Sequence, residues 1–230
     1  PLVVPEINPE DAFQHHGIVA NPNCSTIITM VALGGIRRLT AIDKMVACTY
    51  QAVSGAGQQG ITELQDQLRA VTLGEPVQPH VFPCQIVSNV IPQIGSECDN
   101  GYTTEEMKMQ NEGRKIMHLP ELRVCCTCVR VPVMRSHSIA VQLVTRDPIS
   151  VEDARQAVAA APGCVLTDDL DGRNYPTPLD TSDQDLVYVG RIRRDLISGD
   201  HGLALWCCGD QVRKGAATNA IQIAELLVKE

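Results

Sequence analysis

An α+β domain with a mixed, largely antiparallel sheet and helices packed on one face is the fold this sequence predicts. Three observations point to it. Helical and strand-like segments follow one another without the strict alternation that builds an all-parallel sheet. No G-x-G-x-x-G run sits between a strand and a helix with an acidic residue about twenty positions on, so the chain holds no complete dinucleotide-binding unit. The 230 residues are 44% hydrophobic and 20% charged, a globular composition sized for one large domain. Aromatics supply only 3%, leaving Val, Ile, Leu, Ala and Met to fill the core. The balance of 19 basic against 27 acidic side chains, net −8, disfavours a nucleic-acid groove or an anionic membrane surface. No apolar run approaches the roughly 18 residues of a transmembrane helix.

The elements read in order as follows. Leu2-Val3-Val4 is a short apolar run, and Gly17-Ile18-Val19-Ala20 a short strand leading into Asn21-Pro22-Asn23-Cys24. A helix starts at Ser25, carries Ile27, Ile28, Met30, Val31 and Leu33, and is expected to stop at Gly34-Gly35. Residues 45–50 form a strand ending in the turn Ser54-Gly55-Ala56-Gly57, followed by an amphipathic helix over 60–71 on Ile61, Leu64, Leu68 and Val71. The stretch 74–101, with Pro76, Pro79, Pro83 and Pro92, reads as irregular with short strands. Thr103-Thr104-Glu105-Glu106 resembles a capping box opening a helix through Met117. Strands follow at 122–134 and 138–145, a helix from Ser150 to Ala161-Pro162-Gly163, and strands at 186–192 and 202–208. The chain closes in a helix with Val212, Ala216, Ala220, Ile223, Ala224 and Leu227 near one face.

Ten cysteines in a chain this large, several inside apolar runs, suit a reducing cytoplasm better than a disulfide framework. Cys125-Cys126-Thr127-Cys128 and Cys207-Cys208 lack paired C-x-x-C knuckles, and adjacent strand residues point to opposite faces, so no metal site is expected. Cys24 differs from the rest. It follows a turn and opens a helix, where free N–H groups and the macrodipole should lower a thiol pKa and hold an oxyanion. The alternative is a buried structural thiol. Its proton partner would come from His15, His16, His80, His118, His137 or His201; His137 stands at a polar break between two apolar strands, where it can project into a cleft. Arg130, inside an apolar strand, needs an anion, either a substrate carboxylate or a structural Asp or Glu. Positions 130 and 137 face opposite sides of an unbroken strand, so sharing a cleft requires a bulge or turn at Pro132 or Ser136.

The motifs together resemble one family. Asn21-Pro22-Asn23-Cys24-Ser25-Thr26, then Thr49-Tyr50-Gln51-Ala52-Val53-Ser54-Gly55-Ala56-Gly57, are similar to aspartate-semialdehyde dehydrogenase. The resemblance continues through Tyr102–Met109, Thr127–Val133 with His137-Ser138, Val189–Arg193, and Gly209-Asp210-Gln211 with Arg213–Ala217, in the family's order. It implies a fold like the C-terminal domain of glyceraldehyde-3-phosphate dehydrogenase-like enzymes. It also implies NADP-dependent reductive dephosphorylation of L-aspartyl-4-phosphate to L-aspartate 4-semialdehyde through a Cys24 thioester. His137 would be the general acid/base and Gln51 would orient the thiohemiacetal. Arg130 would clamp the substrate carboxylate and Glu105 its ammonium, Lys108 would help hold phosphate, and Asn23 would lie beside the reacting carbonyl. Ser54 and Gly55 would touch the cofactor, as would Gln211, which stands where the family usually has an Asn.

The same resemblance implies a homodimer or homotetramer in the cytoplasm, without metal, nucleic acid or membrane partner. Its substrates would be aspartyl phosphate, aspartate semialdehyde and phosphate, feeding lysine (through diaminopimelate), threonine, methionine and isoleucine biosynthesis. Residues 1–209 would be the catalytic and dimerisation domain, and 210–230 a helix packing on an NADP-binding Rossmann domain outside these residues. The chain is therefore expected to be a fragment without turnover of its own, its 212–228 helix leaving an apolar face exposed. Three alternatives stand beside this. Another acyl-phosphate reductase, such as N-acetyl-glutamyl-phosphate reductase, is disfavoured by Glu105, which an acylated amine would leave unpaired. A cysteine hydrolase would leave Gln51 and Lys108 idle. A non-catalytic dimerisation paralogue would be expected to lose Cys24 or His137.

Overall fold

A computed structural model describes residues 1–228. Its centre is a six-stranded sheet in the order β2-β1-β3-β6-β5-β4, formed by β1 (Ile42–Gln51), β2 (Arg123–Arg130), β3 (His137–Thr145), β4 (Cys164–Leu166), β5 (Val187–Arg194) and β6 (Gly202–Gly209). The β1–β2 and β4–β5 pairs are parallel and the other three antiparallel, the mixed sheet expected. Alternate residues of β1 (Met45, Ala47, Thr49, Gln51) are buried on one face, as the two-residue period of a strand requires.

That face is covered by α1 (Cys24–Leu39), α3 (Thr104–Ile116) and α4 (Val151–Ala159). Ile27, Ile28, Met30, Val31 and Leu33 of α1 enter one core with Ile139, Val141, Leu143, Val189 and Leu205 of the strands. The helix does not stop at Gly34-Gly35 but runs on to Leu39. These glycines serve close approach instead: a Cβ on Gly34 would lie 2.5 Å from Ile7 Cδ1, and one on Gly35 2.3 Å from the Ala157 carbonyl oxygen of α4. Packing that only glycine permits outweighs its poor helix propensity. The capping box at Thr103 and Glu106 forms as expected, and Glu106 also accepts from the Cys128 backbone N–H, tying α3 to β2.

Helix α2 (Gln58–Leu73) lies apart from the sheet, its Leu64 packing with Val53, Phe82, Ile86, Val87 and Ile91. Among the described residues of 74–101 no strand forms; single bridges, Ile91 to Arg130 and Glu97 to Thr103, replace the short strands expected there. The carboxylate of Glu63 accepts from the backbone of His80 and Val81, and Gln67 from Ile86 and Val87. Side chains of α2 thus satisfy a Pro-broken backbone that no ladder serves.

A four-residue helix, α5 (Pro178–Thr181), precedes β5. After β6 the chain makes a π-turn over Arg213–Ala217 and continues as α6 (Thr218–Val228). Its inward side is Lys214, Gly215, Asn219 and Ile223; of the apolar set read from the sequence, Val212, Ala220 and Ala224 face solvent. Ile223 packs on Val3 and Ala12, while Lys214, fully buried, donates to Glu6, Asn219 and Gln222. Polar anchoring at the turn thus leaves much of the helix's apolar surface outside. The uncovered face of the sheet carries exposed Val46 and Tyr50, the latter 5.5 Å from the Trp206 ring. Among the described residues no helix is long and apolar enough to cross a membrane.

Candidate active site

Parallel pairing of β1 and β2 places their last residues, Gln51 and Arg130, side by side. Strand β3 runs the other way, so its first residue, His137, begins at that same sheet end, across from Gly209 of β6. Residues 130 and 137 therefore share a side because β2 ends at Arg130 and β1 lies between the two strands. The expected strand over 122–134 is cut short at Arg130. The connection turns through Ser136, whose φ of 73° is the left-handed geometry a tight reversal needs. The N-terminus of α1 arrives at this end with Cys24 as its first residue and Asn23 as its cap, the Asn23 side chain accepting from Thr26 N–H.

One backbone residue aligns two of these groups. The Ala52 N–H donates to His137 Nδ1 at 3.1 Å, and the Ala52 carbonyl accepts from Arg130 Nη1 at 2.7 Å. Gly55 closes over both: a Cβ there would lie 2.7 Å from Arg130 Nη1 and 3.2 Å from His137 Cε1. His137 is wholly buried, and its Nε2 has no hydrogen-bond partner among the described residues. Burial first, and then the positive Arg130, push its pKa down to about 3.

A second network gathers on Glu105 of α3. Its Oε1 accepts from Asn23 Nδ2 at 2.8 Å and Gln51 Nε2 at 3.3 Å, and its Oε2 lies 3.4 Å from Lys108 Nζ. Glu105, Lys108 and Glu112, spaced i, i+3, i+7, form one stripe along α3, and Glu112 accepts from the Asn23 backbone N–H at 2.8 Å. Burial raises the Glu112 pKa. Cys24 sits between the two networks. Glu105 raises its pKa and Arg130 lowers it. The largest influence is burial of the thiol, which carries it up to about 11 against the pull of the Ser25 N–H and hydroxyl. The lowered pKa expected from a helix N-terminus is thus overturned, because desolvation of the sulfur outweighs the few N–H dipoles it meets. On the far side, Gly215 stands so close that a Cβ on it would be 3.0 Å from the Cys24 Cβ.

Cys24, Asn23, Gln51, Glu105, Lys108, Arg130 and His137 are thereby brought to one end of the sheet. Ser54 and Gln211 meet nearby, but on each other: the Gln211 amide nitrogen donates to the Ser54 hydroxyl, and its oxygen accepts from the Ser136 N–H. Its longer side chain is spent inside the protein. Sequence reasoning missed Ala52, whose contribution is all backbone and leaves no signal, and Glu112, which the i, i+7 spacing from Glu105 could have shown. It also missed Lys214. A lysine at a helix start, against the macrodipole, was a signal that it is held by something else.

Residues 33–214 match the family described as semialdehyde dehydrogenase, dimerisation domain. The chain is 49% identical over 229 residues to aspartate-semialdehyde dehydrogenase of Synechocystis, covering all of this chain and 68% of that protein. The crystal structure of aspartate semialdehyde dehydrogenase II complexed with ASA from Vibrio cholerae superimposes with a TM-score of 0.96 at 47% identity, over 100% of this chain and 68% of that one. The Candida albicans enzyme, solved with NADP, has the same fold at 24% identity, with a TM-score of 0.72 over 99% of this chain and 66% of its own.

Proposed function

The chain belongs to the aspartate-semialdehyde dehydrogenase family, an oxidoreductase of aspartate-pathway amino-acid biosynthesis, and from that premise we propose that it carries the acyl-transfer centre for L-aspartyl 4-phosphate. One observation supports this above the others. The Cys24 thiol is flanked by charges of opposite sign, Glu105 and Arg130, as an amino acid with a free ammonium and carboxylate requires. An N-acylated substrate would bring no ammonium to Glu105, whose cation partner in the structure is Lys108.

Arg130 takes the α-carboxylate, its guanidinium already oriented by the Ala52 carbonyl. Glu105 takes the ammonium, and Lys108, half exposed, meets the phosphate. With both ends of the substrate held, the carbonyl is presented to Cys24, and this positioning supplies much of the rate. Sulfur attacks the acyl carbon, phosphate departs, and a thioester remains; a thiol suits both its formation and its later release. Gln51 and Asn23 orient the acyl group, and His137 serves the acid–base role at the carbonyl oxygen. The nicotinamide cofactor, NADP, supplies hydride chemistry when bound. The orphaned His137 Nε2 and the Cβ-free Gly55 beside it suit a flat ring, so Ser54 and Gly55 form the edge that meets it. Gln211, already committed to Ser54 and Ser136, supports that edge from behind.

The remaining parts follow the same reading. Residues 1–209 form the catalytic and dimerisation domain, and a second copy packs on the open sheet face around Val46, Tyr50 and Trp206, giving a homodimer or a homotetramer. The outer side of α6, with Ile221 and Val228 exposed, packs on a nucleotide-binding domain, without which these residues do not turn over. The product feeds lysine, threonine, methionine and isoleucine formation in the cytoplasm. The test is NADPH formation from aspartate semialdehyde, phosphate and NADP, comparing this chain, the chain joined to a nucleotide-binding domain, and the joined Cys24→Ala variant. Activity only in the joined chain, abolished by Cys24→Ala, is expected. A folded, inactive joined chain whose Cys24 hydrolyses thioesters returns the hydrolase reading.

A further inference from the structure

We infer that Ser25 is a further catalytic residue, its buried hydroxyl donating to the Cys24 sulfur whenever that sulfur carries charge, as it attacks and as it leaves. The inference rests on the acyl-transfer reading above and adds to it the group that stabilises the thiolate.

Ser25 is 1% exposed. Among the described residues its Oγ is the one buried hydroxyl without a hydrogen-bond partner. The other hydroxyls at this end of α1 are served. Thr26 Oγ1 donates to Asn23 Oδ1 at 3.4 Å, and Thr29 Oγ1 to the Ser25 carbonyl at 2.8 Å. Those around the site are served too, Ser54 by Gln211, Ser136 by Thr181 and Ser138 by Cys208. Buried donors are almost always paired. One left over in so fully bonded a region points to a partner that accepts only part of the time.

The Cys24 sulfur is such a partner. Ser25 follows it in the chain, and both the Ser25 hydroxyl and the Ser25 N–H favour charge on that sulfur. The next two N–H groups of the first turn, those of Thr26 and Ile27, are already spent on the Asn23 side chain and carbonyl. The N–H and O–H of Ser25 therefore form a two-pronged cradle for the sulfur. A neutral thiol is a weak acceptor, which leaves the hydroxyl unserved at rest, whereas a thiolate accepts a strong charge-assisted bond. Only this hydrogen bond forms and breaks. As the S–C bond forms, negative charge passes from sulfur to the carbonyl oxygen and out with phosphate. When the thiohemiacetal collapses, the S–C electron pair returns to sulfur and the same O–H meets it. The Ser25 proton stays on oxygen throughout.

The charges around the sulfur are set by other residues. Helix α3 brings Glu105, Lys108 and Glu112, β2 ends in Arg130, and β3 begins with His137. The turn after β6, whose Gly215 rests on Cys24, pairs Lys214 with Glu6, Arg213 with Asp185 and Asp210 with Arg135. Replacing Ser25 by alanine removes none of them.

Two measurements on the whole enzyme decide this. The first is the rate at which iodoacetamide alkylates Cys24 at neutral to mildly alkaline pH, read by mass on the Cys24 peptide. Ser25→Ala should raise the thiol pKa by about one to two units. A more basic thiolate is also more nucleophilic, which gives back about half of that exponent, so alkylation should slow by about three- to tenfold. Turnover of aspartate semialdehyde should fall with it, and its pH profile should move to higher pH. The second is the urea unfolding midpoint. A hydroxyl without a partner adds nothing to folding, so Ser25→Ala should keep or raise the midpoint. Thr29→Ala, which loses a made bond, should lower the midpoint and leave alkylation within about twofold of wild type. Slowing of less than about twofold in Ser25→Ala, or a fall in its midpoint, overturns the inference. Equal slowing in Thr29→Ala overturns it as well, since the effect would then belong to the helix. Inactivity of the wild-type enzyme toward aspartate semialdehyde sinks the functional reading instead, and the alkylation rates still decide the role of Ser25.

Discussion

Replacing Lys214 with Met should destabilise the protein far more than its place in a C-terminal segment suggests. The ammonium is fully buried and spends all three N–H donors: Glu6 Oε2 at 2.6 Å, Asn219 Oδ1 at 2.9 Å and Gln222 Oε1 at 2.7 Å. Burial alone lowers its pKa, and the Glu6 carboxylate pulls the other way. Methionine fills a similar volume but leaves the Glu6 carboxylate, 8% exposed, facing hydrocarbon and two amide oxygens. Removing one partner of a buried pair costs about 3–5 kcal/mol, chiefly through the charge left behind. The double variant Lys214→Met/Glu6→Gln removes both charges, so it should recover about 1.5–3 kcal/mol relative to the sum of the singles. Urea unfolding midpoints and slopes at pH 7 for wild type, both singles and the double give the cycle. A loss below about 1 kcal/mol for Lys214→Met, or strictly additive variants, would refute the view that this pair fastens the turn. Because Gly215 of that turn rests on Cys24, the same variant should also alter the rate at which iodoacetamide alkylates Cys24.

Two further outcomes follow from the site. His137 has a pKa near 3 in the fold against 6.5 free, so below pH 6.5 the unfolded chain binds a proton the folded chain refuses. Stability is then fully present above that pH and lost as it falls toward 3, amounting to about 2 kcal/mol between pH 7 and 5. His137→Gln should abolish that slope in denaturation curves; equal slopes in both proteins would contradict the buried neutral imidazole. Gly55→Ala forces a methyl to within 2.7 Å of Arg130 Nη1 and 3.2 Å of the imidazole. It should cut kcat/KM in the whole enzyme by on the order of 10²-fold through misplacement of both groups, and near-normal turnover would show that the turn yields freely.

Much of the fold was legible because strands and amphipathic helices announce themselves by period. The capping box at Thr103, the helix over 150–160 and the strands before and after Gly202 all depend on local chemistry. The misreadings share a cause. Gly34-Gly35 looked like a stop because glycine disfavours helices locally, while its use was decided by Ile7 and by Ala157 far along the chain. The proline-rich stretch after residue 74 seemed to need strands of its own, yet Glu63 and Gln67 satisfy its backbone from a neighbouring helix.

The sequence by itself determined which chemistry was available: a thiol opening a helix, an imidazole at a strand break, an arginine in an apolar run and a carboxylate in a first helical turn. It also carried the family likeness in their order. Only the tertiary structure decided that β1 lies between β2 and β3, so that Gln51, Arg130 and His137 reach the same sheet end. It also decided that Ala52 fixes the imidazole and the guanidinium at once, and that Cys24 rests as a thiol. Residue type and spacing set propensities through short-range physics. Proton affinity, tautomer and partner depend on desolvation and on groups far apart in the chain, which acquire values only when the backbone has brought them together.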